Sequence, residues 1–190
     1  MVHFKKQYLI LGVLAFVLLY LLDPVNLIET KEVKLNAYIA NSSLTSNESK
    51  VLMEQFKGEY VYDLNENDEY SLVTDLFLSV SDPNPVELMD AGRLTAQIAG
   101  RELDILISNK EIIEHYYELN GFENLNELIG EDVILADEQL LNDQNHTYAV
   151  QLKTFSNQYH LKTDTWVAIP KTSERKEVAV QFIEYLLKEL

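Results

Sequence analysis

The sequence contains no cysteine, and it has only six glycines and four prolines in 190 residues. Without cysteine the chain forms no disulfide and carries no lipid on an N-terminal cysteine, so a packed core must supply its stability. Basic residues are also scarce, because 15 Lys and Arg stand against 31 Asp and Glu, a formal net charge of −16. That charge repels nucleic acid and anionic membrane surfaces, so we expect no nucleic acid partner.

The motifs of common enzyme classes are missing as well. H-E-x-x-H, G-x-S-x-G and G-x-x-x-x-G-K do not occur, and the four histidines are scattered. A stretch from Asp63 begins like a calcium loop, but Asp68 stands where the turn needs glycine and Thr74 where a bidentate glutamate is needed. The sequence therefore predicts no catalytic residue, no metal site and no cofactor. An anchored enzyme with an unrecognised site is kept as an alternative.

One long apolar run is present, from Tyr8 to Leu22, after Lys5 and Lys6. At about 1.5 Å per residue it covers roughly 22 Å of the ~30 Å hydrocarbon core, and the lysine stems can snorkel to extend it. No A-x-A pattern follows Leu22, which favours an uncleaved anchor over a cleaved secretory signal. Positive flanks stay in the cytoplasm. We therefore predict a single-pass cell-membrane protein with residues 1–6 cytoplasmic, 7–22 transmembrane, 23–31 a tether and 32–190 an extracellular domain.

Strand and helix patterns alternate from Glu32 onward. EVKLNAYIA, residues 32–40, has the period of two that is typical of a half-buried strand, and ELDILI, residues 102–107, is a compact aliphatic strand. Ser46 or Asn47 is predicted to cap a helix that stops at Gly58, and a second helix is predicted to end at Gly100. This alternation predicts an α/β lobe of three layers with a mostly parallel sheet.

The remaining elements are predicted with less regular patterns. Residues 60–64 are assigned to a short strand, and residues 72–80 are ambiguous between strand and helix. Ser108 and Glu111 form a predicted capping box for a third helix. Ser173 is predicted to cap a terminal helix that covers the sheet.

Several phrases resemble extracellular solute-binding proteins of bacterial ABC transporters. They are ELDILIS with its Asp104, then NGFENLNEL, and the ending TWVAIPKTSERKEVAVQFIEYLL. Members of that family usually have two lobes and longer chains, and they are usually lipoproteins or freely secreted. The resemblance therefore implies one lobe of a periplasmic-binding-protein-like fold, and the predicted membrane anchor is a departure from the family. The resemblance also implies a bacterial source, a link to an ABC transporter or a sensor, and two partners, another membrane protein and a small polar solute. The lipid bilayer is a third predicted partner, through residues 7–22.

Polar residues follow three of the predicted strands and form the candidate ligand site. Ligands of open α/β sheets gather at the carboxyl ends of the strands, beside the topological switch point. Hydroxyls, amides and helix N-terminal donors suit an oxyanion or a polyol. The candidates are Asn41, Ser42, Ser43, Ser81, Asp82, Asn84, Ser108, Asn109 and Lys110. Each also has a structural interpretation as a cap or turn residue. An interaction scaffold that has the same fold and no small-molecule ligand is therefore the alternative function.

Overall fold

The computed structural model describes residues 31–61, 65–129, 139–159, 161 and 165–188. The strands are β1 (Glu32–Ala40), β2 (Asp68–Leu76), β3 (Ile105–Asn109), β4 (Leu140–Asp143), β5 (His146–Gln151) and β6 (Thr165–Ala168). The helices are α1 (Ser46–Tyr60), α2 (Pro85–Ala99), α3 (Lys110–Glu118), α4 (Lys153–Gln158) and α5 (Lys176–Lys188), with a single 3₁₀ turn described at Leu125–Glu127.

The strands form one mixed sheet in the order β2-β1-β3-β6-β5-β4. β1 is parallel to both of its neighbours, whereas the β3–β6, β6–β5 and β5–β4 pairs are antiparallel. β1, β2, β3 and β5 therefore run in one direction, and β4 and β6 run in the other. The predicted α/β class is confirmed. The antiparallel half of the sheet was not predicted. It arises because the chain forms the β4–β5 hairpin after β3 and only then returns to pair β6 with β3.

The parallel half of the sheet contains a topological switch point. The chain passes from β1 through α1 to β2, then returns through α2 to β3 on the other side of β1. Connections leave β1 and β3 toward opposite sides at the carboxyl ends of these strands. This is the position at which open α/β sheets form a crevice.

Helices cover both faces of the sheet, which gives the predicted three layers. Leu35, Ala37 and Ile39 of β1 join an apolar cluster with α1, α4 and α5. Tyr38 and Ala40 of the same strand join a second cluster with α2 and α3. Successive side chains of a strand point to opposite faces, so the alternation in the sequence of β1 is the cause of the two cores.

The helix starts differ from the predicted ones. Thr45, not Ser46 or Asn47, caps α1: its Oγ1 accepts from the Glu48 N–H at 3.3 Å, and the Thr45 N–H donates to Glu48 Oε2 at 2.8 Å. The Thr45 hydroxyl also donates to Glu48 Oε2 at 2.6 Å, and this bond, followed by the bond from the Thr45 N–H, lowers the pKa of the Glu48 carboxyl. Gly58 lies inside α1 rather than at its end, so the helix extends to Tyr60.

The predicted capping box of Ser108 and Glu111 is also wrong. Asn109 is the N-cap of α3, since its side chain accepts from the Ile112 N–H at 3.3 Å. Ser108 instead belongs to β3, where it is opposite Trp166 of β6. Pairing with β6 therefore prolongs the strand by two residues beyond ELDILI.

The second strand begins later than predicted. Tyr60 ends α1, residues 62–64 lie outside the described residues, and β2 spans Asp68–Leu76. β2 is an edge strand, and only Leu72 and Leu76 are buried in it. Its second half, residues 72–76, belongs to the segment 72–80 that the sequence left ambiguous between strand and helix, whereas its first half is too polar to form an apolar run.

Asp104, just before β3, joins three segments of the fold. Its fully buried carboxylate accepts from the Asn36 N–H at 2.8 Å, from the Ser173 hydroxyl at 2.7 Å and from Arg175 Nε at 2.7 Å. Ser173 is therefore not the N-cap of the terminal helix, which begins at Lys176. The Asp104 carboxylate holds β1, β3 and the start of α5 together.

The predicted cytoplasmic segment 1–6, the transmembrane segment 7–22 and the predicted tether 23–31, except for Lys31, lie outside the described residues. Within the described part of the chain, no helix combines the length and the apolar character needed to cross a membrane.

Candidate functional site

A pocket opens at the switch point, and we call it the switch-point pocket. Its cavity volume is about 20 Å³, roughly the space that one water molecule needs, and it opens to solvent. Its lining consists of strand ends and the segment before β6: Ile39, Ala40, Asn41, Ser42, Ser108, Asn109, Leu161 and Thr165.

Sheet topology brings these residues together. β1 and β3 are parallel neighbours, so the residues after Ala40 and near Ser108 meet at the same edge. β6 runs antiparallel to β3, which places its first residue, Thr165, opposite Asn109. The pocket is thus built from the ends of two strands and the beginning of a third.

Asn41 forms one wall through its backbone and fixes the neighbouring loop through its side chain. Its Oδ1 accepts from the Leu78 N–H at 2.9 Å, and its Nδ2 donates to the Leu78 carbonyl at 2.8 Å. Its φ of 56° lies in the left-handed region, which asparagine tolerates better than most residues. The amide is therefore already used to tie the chain after β2 to the end of β1.

Ser42 has a hydroxyl that can still donate. Its Oγ accepts from the Leu44 N–H at 2.9 Å, which closes a tight turn after β1. No acceptor for the hydroxyl proton is found among the described residues. Ser43, next to it, is exposed and does not line the pocket.

Ser108 is the most distinctive residue of the pocket. Its side chain is only 1% exposed, and its Oγ has no hydrogen-bond partner within the described part of the chain. A buried hydroxyl without a partner costs about 1–3 kcal/mol. Because Asn109 caps α3, the Ser108 hydroxyl is not used in the fold and can bind an oxygen atom that enters the pocket.

The amino-terminal end of α3 borders the pocket directly after Asn109. The Asn109 side chain accepts from the N–H of Ile112, and the other N–H groups of a first helical turn have no partner within the helix. Such N–H groups and the positive end of the helix dipole favour negative charge. The described residues that line the pocket include no lysine or arginine. Hydroxyls and backbone N–H groups are therefore its donors.

Four of the nine predicted residues line the pocket: Asn41, Ser42, Ser108 and Asn109. Asn84 is occupied as the N-cap of α2, where its Oδ1 accepts from the N–H groups of Val86 and Glu87 at 2.9 and 3.1 Å. The loop that contains Asn84, Ser81 and Asp82 follows β2, and β1 separates β2 from β3 in the sheet.

The other two predicted residues also lie away from the pocket. Ser43 is exposed, and the Lys110 ammonium pairs with Glu114 at 3.5 Å on the surface of α3. Sequence reasoning missed Leu161 and Thr165. No local signal marks these two residues, because only the antiparallel placement of β6 brings them to this edge.

A second, open cleft with a cavity volume of about 260 Å³ lies between α1 and the edge strand β2. Its lining has both charge signs, including Lys50, Glu54 and Glu69. Among the described residues that line it, none carries a buried polar atom without a partner. The described residues also contain no group of three or more His, Asp or Glu that could hold a metal ion.

Comparisons with known proteins add little beyond the fold. Neither protein-family models nor curated proteins match the chain. One similar solved structure is a substrate-binding domain assigned to a molybdenum ABC transporter from Clostridium difficile. The TM-score is 0.42 at 13% identity, over 83% of this chain and 93% of that one. A likeness of this size does not identify a function, so the site must be argued from its own geometry.

Proposed function

We propose that this chain is a membrane-anchored extracellular binding domain that takes a small polar solute, an oxyanion or a polyol, in the switch-point pocket. The observation that carries the proposal is the buried Ser108 hydroxyl, which has no partner among the described residues. Folding leaves this group unsatisfied at the mouth of a crevice, and a ligand oxygen would satisfy it.

The chemistry of the lining limits the ligand. Ser42 and Ser108 offer hydroxyls, and the start of α3 offers backbone N–H groups, whereas the described lining residues include no cationic side chain. Oxygen-rich solutes match such donors, whether they are anionic or neutral. The cavity of about 20 Å³ has room for one oxygen-bearing group, so the rest of the solute would lie in the open mouth of the pocket.

The cellular setting in this proposal is based on the sequence. Lys5, Lys6 and the apolar run that follows support a single-pass anchor with the domain outside the cell. A transporter or a sensor in the same membrane is the partner that would receive the solute. The alternative is an interaction scaffold with no small-molecule ligand. The exposed apolar side chains of residues 77–89 support such an interaction role as a second function.

Thermal unfolding of the purified chain against sulfate, phosphate, molybdate, sugars and amino acids tests the proposal. A ligand that binds only the native state raises the melting temperature, by mass action. We expect a reproducible rise with at least one oxygen-rich solute, and Ser108→Ala should abolish it.

Asn84→Ala is the matched control. It removes a helix cap, so it should lower the melting temperature of the free protein while leaving the ligand-dependent rise intact. If the protein melts cooperatively and no solute shifts it, the binding proposal fails and the scaffold becomes the preferred function. The same follows if Asn84→Ala and Ser108→Ala abolish the rise equally.

A further inference from the structure

Exposed apolar side chains are concentrated in one short segment. Among the described residues, eight large apolar side chains are exposed, and five of them belong to residues 77–89. These five are between 39% and 68% exposed, and we call them the 77–89 patch: Phe77, Val80, Val86, Leu88 and Met89. Scattered apolar residues are ordinary on protein surfaces, whereas a concentration of this kind marks an interaction site.

The two ends of the patch are held close together. The N–H of Phe77 donates to Asp90 Oδ2 at 2.9 Å, and Asp90 is buried one residue after Met89. This bond fixes the chain after β2 beside the first turns of α2. The bond therefore brings the backbone of Phe77 close to the turn of α2 that contains Met89.

Hydrogen bonds also hold the segment between Phe77 and Met89 in place. The Asn41 side chain holds both backbone polar groups of Leu78. Asn84 and Glu87 form a reciprocal capping box, in which the Asn84 N–H donates to Glu87 Oε2 at 2.7 Å. A surface that is already ordered loses little conformational entropy when a partner binds.

The charges around the patch are negative. Residues 77–89 include Asp82 and Glu87 and contain no lysine or arginine. Arg93, the next basic residue, is engaged with Asp75 at 2.8 Å. With a net charge of −16, a second copy of the chain or an anionic membrane would be repelled from this surface. A partner with apolar and basic residues would be attracted to it.

We propose that the 77–89 patch docks a protein partner through an amphipathic segment in which lysine or arginine residues flank apolar ones. Phe77 and Met89 bury the apolar side chains of that segment, and Asp82 and Glu87 face its basic residues. None of the five patch residues lines the switch-point pocket, although Ser81 between them donates to Glu111 Oε1 of α3 at 3.4 Å, so docking and solute binding use different residues.

Binding of a labelled synthetic amphipathic helix of leucine and lysine to the full-length protein, followed by fluorescence anisotropy, tests the proposal. We expect Phe77→Ser and Met89→Ser each to weaken binding about tenfold, as central apolar contacts do. Val51→Ser and Leu119→Ser are matched controls, since they remove exposed apolar side chains elsewhere and should leave the affinity within about twofold.

Charge is tested separately. Asp82→Asn preserves a backbone φ of 52°, which asparagine also tolerates, and it should weaken both the binding and its salt dependence. Thermal unfolding of each variant verifies that the fold is retained.

Three results would overturn the proposal. The first is equal weakening by the patch variants and the two controls. The second is self-association of the protein that Met89→Ser abolishes in sedimentation, because the occupant would then be a second copy. The third is binding to phosphatidylcholine vesicles that Met89→Ser weakens, because the occupant would then be a lipid surface. If the unsubstituted protein and Met89→Ser bind the vesicles equally, the binding comes from the N-terminal apolar run and not from the patch. The peptide measurement then decides the proposal.

Discussion

Replacing Asp104 with alanine should destabilise the fold by about 3 kcal/mol. Its buried carboxylate accepts three hydrogen bonds, from Asn36, Ser173 and Arg175. Breaking a buried ion pair by removing one partner typically costs about 3–5 kcal/mol, because the other charge stays buried and unpaired. We choose the lower end of this range since the Arg175 side chain is 25% exposed and can regain some water.

Two further variants separate charge from shape. Asp104→Asn keeps the size of the side chain and one carbonyl oxygen but loses the charge, so its cost should be about 1.5–3 kcal/mol, the value of a hydrogen bond to a charged group. A double-mutant cycle with Arg175→Ala should show that the two losses are not additive. The matched control is Asp75→Ala, because the Asp75 carboxylate also pairs with an arginine but is 74% exposed. That change should cost less than about 1 kcal/mol.

Urea unfolding followed by circular dichroism measures these differences, provided that the slope m is unchanged among the variants. Salt adds a second criterion, because screening should weaken the exposed Asp75–Arg93 pair more than the buried Asp104–Arg175 pair. If Asp104→Ala costs no more than Asp75→Ala, the carboxylate does not hold the three segments together and the reasoning is refuted.

Two other predictions concern single side chains. Ser108→Ala should leave the free energy of unfolding of the ligand-free protein unchanged or slightly increased, because it removes a buried hydroxyl that has no partner among the described residues. A loss of stability above about 1 kcal/mol in urea unfolding would show that this hydroxyl is bonded. Burial raises the pKa of Tyr148, with smaller contributions from Glu114, Tyr117 and Asp143, so the folded state disfavours the tyrosinate. The resulting stability is complete below the unfolded pKa of about 10 and is lost as the pH rises through the folded pKa. Tyr148→Phe should therefore reduce the alkaline loss of stability, and an unchanged profile of stability against pH would contradict this assignment.

The parallel half of the fold could be predicted from the sequence because its signals are local. The bounds of β1 follow from its alternation, and the structure gives the same residues, Glu32–Ala40. The end of α2 at Gly100 follows from helical spacing and a glycine at its C-cap. β2 was located only in part. Residues 72–76 lie in the apolar segment that could be strand or helix, and the polar start of the strand at Asp68 gives no strand signal because an edge strand buries few side chains.

The sequence near α3 does not by itself show whether Ser108 or Asn109 caps this helix. Both residue types cap helices well, and they are adjacent. Pairing of Ser108 with Trp166 keeps the strand extended by one more residue, so the cap moves to Asn109. This pairing joins residues that are far apart in the sequence. It also releases the Ser108 hydroxyl, on which the proposed function depends.

The sequence located the part of the candidate site that lies at the ends of β1 and β3, because strand order determines which strand ends are neighbours. The switch point follows from the order of strands and helices, and it correctly brings the ends of β1 and β3 together. The residues after β2 were included because they also follow a strand. However, β2 and β3 flank β1, so their ends are two strand spacings apart, about 10 Å. That distance removes Ser81, Asp82 and Asn84 from a pocket of this size.

The two proposals depend on different residues. The solute pocket lies between the ends of β1 and β3, whereas the docking patch follows β2 on the far side of β1. Asn41 contacts both regions, because it lines the pocket and holds Leu78 beside the patch. If its side chain couples the two sites, a bound solute should alter the affinity of the leucine–lysine peptide, and by linkage the peptide should alter solute affinity by the same factor. If it does not, Ser108→Ala should leave peptide binding unchanged and Met89→Ser should leave the solute-dependent melting shift unchanged.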